Sequence, residues 1–203
     1  MAMLRKLFGP SKDEVWKKLC QEIGAEFIEG GSWSGGKVIA KADDWTITLD
    51  THRIDTQHDH IFCTRMRAPF VNKDGFYFSI YRKGIFDAIG KLLGMQDVPV
   101  GDEEFDRDFI IKGNNETKVK ALFSDPKIRE LIKAQPSFYF EVKADGGWFE
   151  ERFPEGVDEL YFLVDECITN IERLEALYKL FAATLHQLCH IGSAYENDPN
   201  IHP

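Results

Sequence analysis

A regular apolar stripe near the end of the chain constrains the fold more than any other feature of the sequence. Its members recur at spacings of three and four residues: Val164, Cys167, Ile171, Leu174, Tyr178, Phe181, Leu185 and Leu188. Such spacing places side chains on one face of an α-helix. We therefore predict one helix from Val157 to His190, about 50 Å long at roughly 1.5 Å per residue. The rest of the chain must supply a surface that covers this stripe.

Strand signals dominate the first half of the chain. Apolar residues alternate with polar ones on both sides of the turns 41–44 and 72–75, and again around 145–147. The runs that flank the first two turns are 37–40, 45–49, 60–70 and 76–82. Alternation puts one side of each strand against a core, and the short polar turns are typical of hairpins. We predict three antiparallel hairpins.

Helices are predicted before, between and after these strands. Ser11 followed by Glu14 forms a capping box for a first helix that ends near Gly24. An amphipathic segment at 84–94 and two short helical pieces within 116–135 follow. This order of elements is typical of an α+β fold rather than of a parallel α/β sheet.

The length of 203 residues fits a single domain. We predict an α+β domain over 1–191, in which a mainly antiparallel sheet of about six or seven strands packs against the C-terminal helix. Residues 192–203 are predicted to form a flexible tail. Sixteen Phe residues indicate an aromatic core.

The charge and cysteine content narrow the class of protein. A net charge of −9 argues against a general nucleic-acid binder, which needs a basic face. No apolar run approaches the roughly 20 residues of a membrane span. The four cysteines are scattered and form no metal-binding or redox motif. We expect free thiols and a cytoplasmic protein.

Acidic residues alternate through 102–108. They are Asp102, Glu104, Asp106 and Asp108. Alternate carboxylates on one strand face can hold a hard cation, but the spacing is not that of a calcium-binding loop. Phe105 and Phe109 occupy the opposite parity. We therefore predict a strand over 105–111 whose acids face solvent.

Two histidines and two arginines are the candidate ligand-binding residues. His58 and His60 share one side of a strand, yet a zinc site needs three or four ligands, so no metal site is predicted. Arg65 and Arg67 share a strand face and could bind a phosphate or carboxylate. Pairing with acids of the same chain is the interpretation we favour for the arginines. No cofactor is predicted.

The segment 97–143 is similar to part of several uncharacterised bacterial protein families. Those families carry an acidic F-D-x-x-F-x-[IV] strand, a polar turn, two short helices and a following strand. The matching residues here are Phe105, Asp106, Phe109, Ile111, Leu122, Phe123 and Leu131. The resemblance covers about a quarter of the chain and consists mostly of structural residues. It implies a fold unit and a bacterial origin, and no reaction.

The sequence favours a binding protein over an enzyme, because no nucleophile elbow or phosphate-binding loop is present. Our first hypothesis is a non-enzymatic interaction module that forms a homodimer through the long C-terminal helix. The alternative is a carrier of a lipid or another apolar small molecule, with a helix-grip-like architecture. A metal-dependent hydrolase that uses His58 and His60 is the third and weakest hypothesis.

Overall fold

The sheet and the helices are defined by a computed structural model. It describes residues 10–31, 35–55, 60–83, 96–144 and 153–201. Within these ranges the strands are β1 (Glu26–Ile28), β2 (Lys37–Ala42), β3 (Trp45–Asp55), β4 (His60–Val71), β5 (Phe78–Arg82), β6 (Gln96–Asp97), β7 (Phe109–Gly113), β8 (Tyr139–Ala144) and β9 (Val157–Val164). The helices are α1 (Lys12–Ile23), α2 (Glu103–Asp108), α3 (Glu116–Phe123), α4 (Pro126–Lys133) and α5 (Ile171–His190).

The nine described strands form one antiparallel sheet in the order β1-β2-β3-β4-β9-β8-β5-β7-β6. The predicted α+β class with an antiparallel sheet is confirmed. The number of strands is higher than the predicted six or seven. Two strands at the edges, β1 and β6, have three and two residues. Strands of that length are too short to show a recognisable alternation.

The first helix and the first hairpin are confirmed. Ser11 Oγ accepts a hydrogen bond from the Glu14 amide, and Gly24 ends α1 in the left-handed conformation with φ of 69°. β2 and β3 pair up to Ala42 and Trp45, which leaves a two-residue turn. Local signals fixed both features, because each depends on residues close together in sequence.

The predicted helix from Val157 to His190 is wrong in its first half. Residues 157–164 form β9, and α5 begins only at Ile171, after an N-cap at Asn170 whose side chain accepts from the Arg173 amide. β9 lies between β4 and β8 and is buried along most of its length. A strand buried on both faces lacks alternation, so its apolar positions also matched a helical spacing.

The C-terminal helix spans its own domain and does not extend beyond it. At 20 residues, α5 is about 30 Å long. Its buried side chains are Leu174, Leu177, Leu180, Phe181, Thr184, Leu185 and Leu188. The ring of Phe181 lies 5.5 Å from that of Phe140 in β8. The packing of sheet against helix is therefore confirmed, and the length argument for self-association through this helix no longer holds.

The second predicted hairpin is also wrong. β4 pairs with β3 and β9, whereas β5 pairs with β7 and β8. The turn after β4 is present, but Asn72 ties it to β9: its Nδ2 donates to Asp158 Oδ2 at 2.5 Å, and its Oδ1 accepts from the amides of Gly75 and Phe76. A favourable turn determines where the chain bends but not which strand becomes the neighbour.

The acidic segment is a helix and not a strand. α2 occupies Glu103–Asp108 with Asp102 as its N-cap, and β7 begins at Phe109. Two of its acids pair with basic residues of α4: Asp102 lies 3.3 Å from Arg129, and Glu104 lies 2.5 Å from Lys133. Asp108 pairs with Arg107 at 2.9 Å. The sequence pattern did not distinguish the two structures, because residues four apart, such as 105 and 109, lie on the same side in a strand and also in a helix. The predictions for 84–94 and 145–147 lie outside the described residues.

The helices pack on one face of the sheet, which we call the helix face. Rings dominate this layer: Phe78 contacts Phe123 and Phe140 at centroid distances of 5.5 and 5.6 Å, and Phe138 stacks on Phe162 at 5.8 Å. The predicted aromatic core is thus present. We call the opposite side of the sheet the polar face.

The segment after α5 also contacts the sheet. Ala194 forms a bridge with Asn72, and the Asp198 carboxylate accepts hydrogen bonds from Thr46 at 2.6 Å and Lys41 at 2.9 Å. The predicted flexibility of 192–203 stays a prediction. These contacts place Ala194 beside the end of β4 and Asp198 against the β2–β3 hairpin.

Replacing Asn72 with alanine should lower the free energy of unfolding by about 3 kcal/mol, because three backbone amides lose their acceptor and the buried Asp158 loses its short hydrogen bond. Denaturation with urea measures this change. Asn200→Gly is a suitable control: Asn200 is exposed and has φ of 58°, which glycine adopts freely. Equal effects of the two substitutions would contradict the anchoring role of Asn72.

Candidate functional site

Two strands of the sheet extend beyond their neighbours and form an arm. The β2–β3 ladder ends at Leu49, and the β4–β9 ladder begins at Thr64. Beyond these points, residues 52–55 of β3 and 60–63 of β4 form ladder pairs only with each other within the described chain. We call these two segments the arm. A two-stranded ribbon of this kind twists more strongly than the body of a sheet.

A depression of about 750 Å³ lies at the base of the arm, beside β1 and β2. Its lining residues come from four strands and the connection between β1 and β2: Ile28, Glu29, Gly31, Gly35, Lys37, Asp50, Thr51, Arg53, Phe62 and Arg65. The volume lies in the range of small-molecule sites. Some lining residues of β3 and β4 point to opposite faces of the sheet, and strand twist allows them to border the same depression.

Glycine allows the chain to pass close to its neighbours at the edge of this depression. A Cβ atom at Gly36 would lie 2.5 Å from the Phe27 ring, and one at Gly35 would lie 2.7 Å from Thr51 Oγ1. Any larger residue would push β1 or β3 away. The glycine-rich connection, which matches no phosphate-binding motif, therefore serves close packing at this wall.

A buried ion cluster forms one wall of the depression. The two oxygens of Asp50 accept hydrogen bonds from Arg65 Nε and Nη2, each at 2.9 Å, and from Arg67 Nη2 at 2.8 Å. The side chains are only 10–14% exposed. Burial alone would raise the pKa of Asp50, but the hydrogen bonds and charges of Arg65 and Arg67 outweigh it and hold that pKa below its ordinary value. Asp50 is therefore ionised in the folded protein.

The cluster continues across the polar face of the sheet. Arg67 Nη1 lies 3.9 Å from the carboxylate of Glu159, which is 1% exposed. On β8, Tyr139 donates to Glu141 at 2.9 Å, and burial raises the pKa of Glu141 despite that hydrogen bond. Charged groups on this side of the sheet are thus held inside the protein. Polar side chains on this side of the sheet therefore do not simply face solvent.

The lining of the depression holds more basic than acidic side chains. Glu29 is bound by Lys17 at 2.5 Å, and Asp50 is bound by Arg65 and Arg67. Lys37 and Arg53 also line the depression, and Arg53 Nη2 lies 3.0 Å from the ring of His60. The lining thus holds three basic and two acidic side chains, which gives it a small net positive charge.

Apolar side chains border the same space. Phe62 is 57% exposed and Ile28 is 36% exposed, and both line the depression. Large apolar side chains at the rim of a cavity are typical of sites that bind ligands with an apolar part. The depression therefore combines apolar contact area with positive charge.

The structure separates the four residues predicted from the sequence. Arg65 lines the depression, while Arg67 lies deeper in the cluster with Asp50. His60 lies on the arm, where its ring is 3.0 Å from Arg53 Nη2. His58 lies outside the described residues. The pairing of the arginines with an acid of the same chain, favoured from the sequence, is present; ligand binding by the four residues stays a prediction.

Several lining residues carried no recognisable sequence signal, among them Ile28 and Lys37. Phe62 had a weak one: it follows Ile61 directly, so one of these adjacent apolar residues must lie on the side opposite to the other. In the structure both are exposed, Ile61 to 38% and Phe62 to 57%. The sequence does not show where the strands that pair with β3 and β4 end.

No three His, Cys, Asp or Glu side chains of the described residues lie close enough together to hold a metal ion. None of the described helices combines the length and apolar character needed to cross a membrane.

Comparison with known proteins gives a likeness in fold. No protein-family model and no curated protein matches the chain. A solved structure with a similar fold is that of the mycobacterial trehalose monomycolate transport factor A, TtfA, with a TM-score of 0.54 and 8% sequence identity. The match covers 91% of this chain and 97% of that one. The two proteins share a fold over nearly their whole lengths.

Replacing Asp50 with asparagine should lower the free energy of unfolding at neutral pH by about 3 kcal/mol, since it leaves Arg65 and Arg67 without their carboxylate. The pKa of folded Asp50 is below the unfolded value of about 4, so its stabilisation is present above that pH and is lost as the pH falls through the folded pKa. The difference in the free energy of unfolding between wild type and Asp50→Asn should therefore become smaller at acidic pH.

Urea denaturation at a series of pH values measures this prediction. Asp44→Asn, in the exposed hairpin turn, is the matched control and should change stability little at any pH. A difference between wild type and Asp50→Asn that stays constant down to strongly acidic pH would contradict the assignment.

Proposed function

We propose that this protein binds an amphipathic small molecule, with an anionic head and an apolar tail, in the depression at the base of the arm. The observation that carries the proposal is the combination of exposed Phe62 and Ile28 with Lys37 and Arg53 in one cavity. The apolar residues would contact the tail. The cations would contact the head.

The energetics favour this class of ligand over a purely polar one. Covering exposed apolar area stabilises a complex by roughly 25 cal/mol per Å². A charged head alone would gain little from a surface lysine, because water screens such contacts. Binding therefore depends on the apolar wall, and the cations select the sign of the head.

The likeness in fold supports the same class. The solved structure with the similar fold is that of a transport factor for the lipid trehalose monomycolate. Fold alone does not transfer a ligand, so this supports the apolar part of the proposal and not a particular lipid. A helix-grip protein would hold its ligand between the sheet and the long helix. In the described residues that space is filled with packed aromatic rings, so the proposed site lies at the base of the arm instead.

A fluorescent fatty acid, used below the concentration at which it forms micelles, tests the proposal. Phe62→Ser should weaken its binding about tenfold, because the apolar wall loses most of its area. Lys37→Gln should weaken binding several-fold, with a loss that shrinks at high salt. Fluorescence titration measures both effects.

Two substitutions serve as controls. Tyr195→Ser removes an apolar side chain that is 49% exposed but does not line the depression, and Lys18→Gln removes a cation from the exposed side of α1. Neither should change the affinity. Absence of binding to wild type, or an equal loss in the control variants, would refute the proposed function.

A further inference from the structure

Most charged side chains of the depression are already engaged, and Lys37 is the exception. The lining residues that contact a charged or ring partner of the same chain are Glu29, Asp50, Arg53 and Arg65. Lys37 makes no ion pair or side-chain hydrogen bond with any other residue that the structure describes. It is therefore the cation of the lining that an anionic head can reach without displacing an existing contact.

Lys37 lies directly beside one of the two exposed apolar residues of the lining. It is the cross-strand partner of Ile28 in the β1–β2 ladder, so the two side chains point to the same face of the sheet. The Cβ atoms of such partners are about 5 Å apart. A ligand whose head meets the Lys37 ammonium group therefore places the first carbons of its tail against Ile28.

Phe62 lies at the far end of the depression. The β2–β3 and β3–β4 ladders place Lys37 level with Arg65, two strands away, and Phe62 lies three residues further along β4. With strands about 4.8 Å apart and about 3.4 Å per residue, the Cα atoms of Lys37 and Phe62 are separated by roughly 14 Å. An extended chain advances about 1.2 Å per bond, so about twelve bonds cover this distance.

The path between these two ends is open because β2 stops. The β2–β3 ladder ends at Leu49 of β3, so Thr51 and the residues after it have no ladder partner on that side within the described chain. Phe62 and Arg65 are an odd number of positions apart and face opposite sides of β4. The depression borders both of them. A chain that starts at Lys37 therefore reaches Phe62 by passing the open edge of β3.

The lining offers apolar side chains only at its two ends. Apart from Ile28 and Phe62, the lining consists of charged residues, one threonine and glycines. A second tail would have to lie over the charged groups, which costs free energy because it removes water from them. A tail that ends before the Phe62 ring misses the more exposed of the two apolar contacts, and carbons beyond that ring meet no further apolar side chain of the lining.

We infer that the depression selects anionic amphiphiles with a single tail of about twelve carbons. The head lies at Lys37, the first carbons of the tail lie at Ile28, and the end of the tail lies at Phe62. The inference deepens the proposed function, because it names the class of ligand and its orientation in the depression, and it rests on that function.

A series of saturated carboxylates from octanoate to hexadecanoate tests the length of the tail. Each is used below the concentration at which it forms micelles, and its affinity is measured by displacement of the fluorescent fatty acid. Affinity should rise at least about fivefold from octanoate to dodecanoate, since a half-covered methylene group contributes about twofold. From dodecanoate to hexadecanoate it should change by less than about twofold.

Two substitutions test the orientation. Phe62→Ser should weaken dodecanoate binding about tenfold and leave octanoate binding within about twofold of wild type, because the shorter tail does not reach the ring. Ile28→Ser should weaken the binding of both ligands by the same factor, because both place their first carbons there. The control Tyr195→Ser should change neither affinity. Phe62 and Ile28 are exposed, so both variants should retain the unfolding midpoint of wild type within a few degrees.

The outcomes separate the orientation from the proposed function. Affinity that keeps rising up to hexadecanoate, or an equal loss for octanoate and dodecanoate in Phe62→Ser, overturns the inference and leaves the proposed function standing. A loss in Ile28→Ser that grows with tail length, while the loss in Phe62→Ser does not, overturns it in favour of the reverse orientation. If wild type binds neither the series nor the fluorescent fatty acid, the proposed function fails and the inference fails with it.

Discussion

The ladder between β3 and β4 is the contact on which the core, the ion cluster and the arm all depend. It aligns Leu49 with Met66 in the core and Asp50 with Arg65 at the start of the polar cluster. Further along, it aligns Ile54 with Ile61 in the arm. A slip of one residue would turn all these side chains to the other face. One register therefore sets three different environments along a single pair of strands.

The ion cluster is well placed to select that register. Alternation alone specifies the register poorly in the outer part of the arm, where Ile54, Ile61 and Phe62 are all exposed although they lie on both faces. Asp50 binds Arg65 in two contacts and Arg67 in a third. A shifted ladder would bury these charges without partners, at a cost of several kcal/mol. The cluster stands at the point where the core ends and the arm begins, so it can specify the pairing for both.

The sequence predicted features that depend on neighbouring residues and missed those that depend on distant ones. The cap at Ser11 and the first turn were predicted from a few adjacent residues. The partner of β4 was not, because the choice between β5 and β9 depends on Asn72 reaching Asp158, 86 residues away. The sequence of β9 predicts a helix because burial on both faces removes the alternation by which strands are recognised.

The same limit applied to the candidate site. Arg65 and Arg67 were found from the sequence because they share a strand face, and their pairing with an acid followed from the acidic composition. Lys37, Phe62 and Ile28 converge only through three separate ladders, and single side chains of these types are common on any surface. No local pattern marks where a ladder stops, although that point decides which residues become exposed.

The end of the β4–β9 ladder at Thr64 is thus both a structural and a functional boundary. Up to that point, strands on either side cover the backbone edges and helices cover one face, so apolar side chains contribute to the core. Beyond it, apolar side chains such as Ile61 and Phe62 contribute nothing to the described core and remain 38% and 57% exposed. Exposed apolar residues on a ribbon invite aggregation unless a partner or a membrane receives them.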